Sequence, residues 1–152
     1  MSTIIGIIAD THGTLLDKVV GIFKGCKMII HAGDIGNIQV IEALRLIAPV
    51  YAIRGNVDKG AWAENIPVSR SITIQDINIY VVHNLKEMTF NPMIEGYDIV
   101  ISGHSHTGKI VTKDEVLYIN PGGAGRKRFN LPLTVALLTI YQGKCTVALK
   151  YL

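Results

Sequence analysis

Apolar runs of strand length recur along this chain, and each stops abruptly at a polar, glycine-containing turn. Thr3 to Ala9 is followed by Asp10-Thr11-His12-Gly13, Lys27 to Ile30 by His31-Ala32-Gly33-Asp34, and Val50 to Ile53 by Arg54-Gly55-Asn56-Val57-Asp58. Between them the period changes. Leu15 to Lys24 carries Leu15, Leu16, Val19, Val20, Ile22 and Phe23 at helical spacing and stops at Gly25; Ile38 to Ala48 carries Ile38, Ile41, Leu44 and Ile47 on one stripe and stops at Pro49. Three strand, loop and helix units in succession predict a largely parallel sheet with right-handed crossovers.

The second half follows a different pattern. Arg70 to Gln75 and Ile77 to Val82 predict a hairpin whose second arm delivers His83-Asn84. Lys86 to Glu95 has no clear period, and Pro92 opposes a long helix there. Tyr97 to Ile101 has the length and content of a strand buried on both faces, and runs into Ser102-Gly103-His104-Ser105-His106. If the backbone stays extended past Gly103, His104 and His106 project from the same side. Lys109 to Thr112 with Val116 to Ile119, and Thr134 to Tyr141 with Cys145 to Tyr151, predict two further hairpins. Helical units first and antiparallel strands later predict two sheets stacked face to face with helices outside.

Composition narrows the class. A chain of 152 residues, 49% hydrophobic and 18% charged, fits one α/β domain over 1–152, burying roughly 70% of the surface its unfolded form exposes. Met1 to Ile8 lacks a basic n-region, and no run approaches the roughly 20 apolar residues of a membrane span, so a cytoplasmic protein with no membrane contact is expected. Cys26 and Cys145 match no metal or redox spacing, and free thiols are favoured over a disulfide. The net charge of +3 suits a phosphate-bearing ligand without naming one.

The strand-end residues Asp10, His12, Asp34, Asn56, His83, His104 and His106 form a set of oxygen and imidazole donors without thiolates. Such a set suits manganese, iron, zinc or nickel and disfavours Cu(I) or iron–sulfur clusters. Seven donors are too many for one ion and suit two. Taken singly, Asp10 and Asp34 read as helix N-caps and Asn56 as a turn residue; taken together they read as ligands. His31, out of phase with Asp34, reads as a packed or supporting residue. Asp58 reads either as a loop support or as a partner holding a ligating histidine. Arg126-Lys127-Arg128 reads as a solvated basic loop in preference to a phosphate clamp.

The ordered set Asp10-x-His12, Gly33-Asp34, Gly55-Asn56-x-Asp58, His83 and Gly103-His104-x-His106 closely resembles the calcineurin-like metallophosphoesterase superfamily, in particular its small phosphodiesterases of the YfcE/MJ0936 type. The resemblance spans residues 4 to 123. It implies a four-layer αββα sandwich with a dinuclear centre at its edge. Asp10, His12, Asp34 and His106 would hold one ion and Asp34, Asn56, His83 and His104 the other, with manganese first among the candidates and nickel, zinc or iron compatible. It further implies hydrolysis of a small phosphodiester, a nucleotide among the candidates, by a metal-bridging hydroxide, with Asp34, Asn56 and His104 as catalytic residues.

Two positions depart from the family pattern. Val57 stands where the family commonly has a histidine that donates a proton or binds phosphate, so leaving groups of high pKa should suffer. Asn84-Leu85 replaces the usual Gly-His after the fifth ligand. The competing expectation is a protein-binding module like the retromer subunit Vps29, which shares the fold. Oligomeric state is left open, a homodimer included.

Overall fold

The computed structural model describes residues 2–128 and 130–152. Ten strands form two five-stranded sheets. β1 (Thr3–Ile8), β2 (Met28–His31) and β3 (Val50–Ala52) run parallel in the first sheet, and β9 (Thr134–Tyr141) and β10 (Lys144–Tyr151) complete it in the order β10-β9-β1-β2-β3. The second sheet holds β4 (Ser69–Ile74), β5 (Ile77–Val82), β6 (Ile99–Ile101), β7 (Lys109–Lys113) and β8 (Val116–Asn120) in the order β4-β5-β6-β8-β7. β9 lies antiparallel to β1, so the first sheet is mixed, where the three leading units predicted a largely parallel one.

Alternation along each strand sorts side chains between two cores. Ile5 and Ile7 of β1, Ile30 of β2 and Leu138 of β9 face Ile79 and Val81 of β5, Ile99 and Ile101 of β6 and Ile119 of β8, closing the space between the sheets. On the far side of the first sheet, Ile8 and Ile29 meet Val19 and Phe23 of α1 (Asp17–Phe23) and Val40, Ile41 and Leu44 of α2 (Ile38–Arg45). Gly6 permits that approach, since a Cβ there would lie 2.9 Å from the Phe23 ring.

Both helices are shorter than their apolar spacing predicts. Leu15 and Leu16 pack against the outer core from an extended entry segment, and Leu46 to Ala48 leave α2 in a turn before Pro49. The third unit has no α-helix, only a 3-10 turn at Ala61–Ala63, because residues 54–60 are taken up by a loop that ends at Gly60 with φ 105°. The expected layer over the second sheet is likewise reduced: a 3-10 turn at Leu85–Glu87 and irregular chain to residue 98, with Phe90 and Tyr97 packed on Tyr80 of β5. The hairpins fall within one or two residues of their predicted bounds. Cys26 and Cys145 are free thiols, and among the described residues no helix is long and apolar enough to cross a membrane.

Candidate metal centre

The parallel strands of both sheets end along one edge, where ligand sites form in open α/β sheets. Asp10 and His12 follow β1, Asp34 follows β2, Asn56 follows β3, His83 follows β5, and His104 and His106 follow β6. Backbone hydrogen bonds tie these loops together. Asp10 N–H donates to Gly33 O (2.9 Å), His12 N–H to Asp34 O (3.0 Å), and Gly103 N–H to His83 O (3.0 Å).

Two ligand clusters result: Asp10, His12 and His106, and Asp10, Asp34 and His83, with donor atoms in each mutually within 4.8 Å. Asp34 also spans the two, its Oδ2 lying 3.2 Å from His83 Nε2 and 3.6 Å from His12 Nε2. His106 Nε2 sits 3.5 Å from Asp10 Oδ1. The rings of His12 and His106 stack at 5.2 Å, and those of His83 and His104 meet edge-on at 5.3 Å. His104 and Asn56 are exposed at the rim, while Asp10, Asp34, His83 and His106 are buried and His12 is half-buried.

The backbone at these residues is unusual. Among the described residues, ten positions other than glycine have positive φ; five lie in the three hairpin turns and the other five are Asp10, His12, Asp34, His104 and His106. Left-handed conformations cost energy for residues with a Cβ and collect at functional sites. The chain past Gly103 is therefore not extended, and Ser105 N–H turns back to Gly103 O at 2.9 Å. His104 and His106 do not share a strand face. They reach opposite ends of the carboxylate pair, one beside His83 and the other beside His12.

Hydrogen bonds to surrounding groups fix the ligands. His83 Nδ1–H donates to Ala32 O at 2.8 Å, which turns Nε2 toward the carboxylates. Gly33, at φ 98°, leaves room for that ring, since a Cβ there would stand 2.7 Å from His83 Nδ1. His104 N–H donates to Asp10 Oδ2 (3.0 Å) and Val57 N–H to Asp34 Oδ1 (3.2 Å). Asp58 resolves to its loop-supporting role: Ile35, Gly36 and Gly55 N–H all donate to its carboxylate at 2.9–3.0 Å, joining the Asp34 loop to the Asn56 loop. Neither Asp10 nor Asp34 caps a helix; Leu16 precedes α1, and Asn37 caps α2 by accepting from Val40 N–H.

His31 is fully buried. Gly33 N–H donates to its Nδ1 (3.1 Å), so the ring proton is on Nε2 and goes to Thr11 Oγ1 (3.0 Å), whose hydroxyl donates to Ile35 O (2.8 Å). This chain bolts the Asp10 loop to the Asp34 loop. Burial drives the His31 pKa down to about 3.

The centre's electrostatics suit a cation. Burial pushes Asp10 up to about 7, against the opposing His83, and the Asp34 charge adds to the rise. Burial would also raise Asp34, but the adjacent His83, Val57 N–H and His12 hold it at about 2. Burial lowers His12 and His106, leaving neutral imidazoles with free lone pairs, whereas the neighbouring Asp34 and Ala32 carbonyl outweigh burial and raise His83. Asp10 Oδ1, His12 Nε2, His83 Nε2 and His106 Nδ1 are buried without hydrogen-bond partners. Unpaired buried polar atoms are costly; Asp10 Oδ1, His12 Nε2 and His83 Nε2 crowd together between the carboxylates, and His106 brings its Nε2 to them while its unpaired Nδ1 lies beside Gly123, an arrangement that fits bound divalent ions.

Beside this centre a cavity of about 280 Å³ is lined by His12, His106, Arg126, Lys127 and Arg128. The basic run is exposed, as the solvated-loop reading expects, and it also lines this cavity. Its only sequence signal is its place just after Asn120-Pro121-Gly122-Gly123.

Comparison with known proteins agrees with this geometry. Phosphodiesterase MJ0936 of Methanocaldococcus jannaschii is 32% identical over 136 residues, covering 78% of this chain and 82% of that one. A solved archaeal phosphodiesterase superposes with TM-score 0.76 at 26% identity, covering 99% of this chain and 100% of the other. Vps29 of Cryptosporidium parvum superposes with TM-score 0.80 at 17% identity over 99% and 98% of the two chains, a likeness of fold alone. The sequence profile of the calcineurin-like phosphoesterase superfamily domain matches residues 4–143, and with the strand-end ligand clusters this shows that the chain belongs to that superfamily.

Proposed function

We infer that the protein is a metal-dependent phosphodiesterase with two divalent ions, manganese first and nickel, zinc or iron compatible with the same donors. The observation that carries this reading is the convergence of the His12, His83 and His106 Nε2 atoms on the Asp10 and Asp34 carboxylates, with Asp10 Oδ1, His12 Nε2 and His83 Nε2 buried without hydrogen-bond partners. Asp10, His12, Asp34 and His106 would hold one ion, and Asp34, Asn56, His83 and His104 the other. When bound, such ions supply an activated water and Lewis-acid stabilisation of the phosphoryl oxygens.

The chain's own residues do the positioning. Asp34 stays ionised across the physiological range and lies between His12 and His83, which suits a shared ligand. Arg126 and Arg128 present fixed positive charge to a phosphoryl group entering beside His12 and His106. Val57, half-exposed on the loop after β3, has no proton to give. Without a donor at that position the leaving oxygen is less readily protonated, which favours aryl or other low-pKa esters over alkyl monoesters.

The test is to strip the protein with chelator, restore manganese, nickel, zinc or magnesium singly, and assay bis-aryl and alkyl phosphates. Hydrolysis that depends on added ion, prefers the bis-aryl ester and falls at least about 100-fold in Asp34→Ala is expected. Hydrolysis without metal, or an unaffected Asp34→Ala, would overturn the mechanism. The Vps29-like fold and the absent donor at Val57 favour one second reading, a protein-binding module. Ion binding with no turnover of any ester would favour it.

A further inference from the structure

The shortened layer over the second sheet leaves part of that sheet bare. Chain from 85 to 98 covers the β5 side through Phe90 and Tyr97 on Tyr80, but among the described residues no layer covers the β8–β7 side, where β7 is exposed along its length. There a groove of about 720 Å³ runs from His104 at the metal centre out along β7. Its floor is apolar and aromatic, made by Val111 and Tyr118, which are paired in register across β7 and β8, with Met88 on the wall. Lys109 and Lys113 flank Val111 on the same face of β7, and Lys86 also lines the groove.

Three ammonium groups thus line one groove, and among the described residues none lies within salt-bridge distance of a carboxylate. The fold gains nothing from this arrangement; an anionic ligand would. Lys109 and Lys113 are four residues apart on a strand, roughly 13 Å at about 3.3 Å per residue. Their long, flexible side chains can close from the two sides of Val111 on one phosphate at the β7 edge of the groove. A second copy of the chain laying the same groove against itself would bring like charges together.

We propose that this groove receives the nucleotide arm of the substrate, its base against Tyr118 and Val111 and a second phosphate at Lys109 and Lys113, while the scissile phosphate sits at the metal centre. The inference names the substrate class for the phosphodiesterase reading above and rests on it. Oligonucleotides and dinucleotides share the required chemistry, a base flanked by two phosphates.

Binding separates this proposal from turnover. Calorimetric titration of the manganese-loaded protein with thymidine 3′,5′-bisphosphate, thymidine 3′-monophosphate and thymidine compares ring and charge directly. The bisphosphate should bind at least tenfold more tightly than the monophosphate, and Lys109→Ala/Lys113→Ala should remove that advantage while changing monophosphate affinity less than twofold. Raising the salt concentration should weaken bisphosphate binding more steeply in wild type than in the double variant. A bisphosphate no tighter than the monophosphate, or equally tight on the double variant, overturns the groove assignment even if bis-aryl esters are hydrolysed. Lysine-dependent binding without hydrolysis of any ester would leave the groove standing and remove the phosphodiesterase reading instead. If the double variant changes the oligomeric state by light scattering, the groove is an interface between copies and the proposal fails.

Discussion

His31 shows how one buried side chain sets the acid limit of the protein. Its folded pKa, near 3, lies below the ordinary value of 6.5, so below pH 6.5 the unfolded chain takes up a proton that the folded one refuses. Stability from this group is complete above pH 6.5 and is lost as pH falls toward 3. Between pH 6.5 and 5 the loss is about 2 kcal/mol, at about 1.4 kcal/mol per unit. Denaturant unfolding of wild type and His31→Gln at pH 7 and pH 5 should show the variant less stable at pH 7 but less sensitive to acid; equal sensitivity would disprove the linkage. At this scale the ligand set could be read from residue types alone, because carboxylates and imidazoles that end apolar runs have few other uses in such numbers. The left-handed backbone at five of the seven candidates could not, since it depends on inter-loop hydrogen bonds such as His12 N–H to Asp34 O.

At the level of elements, the loops after β2 and β3 act as one unit because a single carboxylate clamps both. Asp58→Ala would leave three N–H groups, at Ile35, Gly36 and Gly55, without their acceptor. The cost should be about 3 kcal/mol, with a weaker hold on metal because Asp34 lies on the clamped loop. Asp58→Asn should lie between, its amide nitrogen being unable to accept. Urea unfolding and metal titration of both variants would check this, and an Asp58→Ala protein of wild-type stability would refute it. Strands and hairpins were legible to within a residue or two since period-two alternation and Asp-Glu or Gln-Gly turns are local signals. The helices were overextended, because Leu15, Leu16 and Ile47 are apolar for the sake of the outer core and not for a helical stripe. The missing third helix has another cause: the expected repeat of the unit supplied it, while the loop at residues 54–60 takes up the chain that would begin it.

Across the whole molecule, the centre draws on both sheets. Asp10, His12 and Asp34 come from loops of the first sheet, and His83, His104 and His106 from loops of the second, so any ion bound there fastens one sheet to the other. Occupancy at 100 times Kd adds about 2.7 kcal/mol to stability. For a domain of this size that is a rise in Tm of roughly 5–10 °C. Scanning calorimetry with and without manganese should find it, and should find it absent in Asp34→Ala.

The placing of β9 between β1 and β10 bears on how the molecule is made. The segment at residues 3–8 is translated well before the neighbour on its open flank, 134–141, so a nascent chain carries a bare Ile-rich edge until the β9–β10 hairpin leaves the ribosome. Until that hairpin arrives, the half-built sheet is a target for chaperones and for other growing chains.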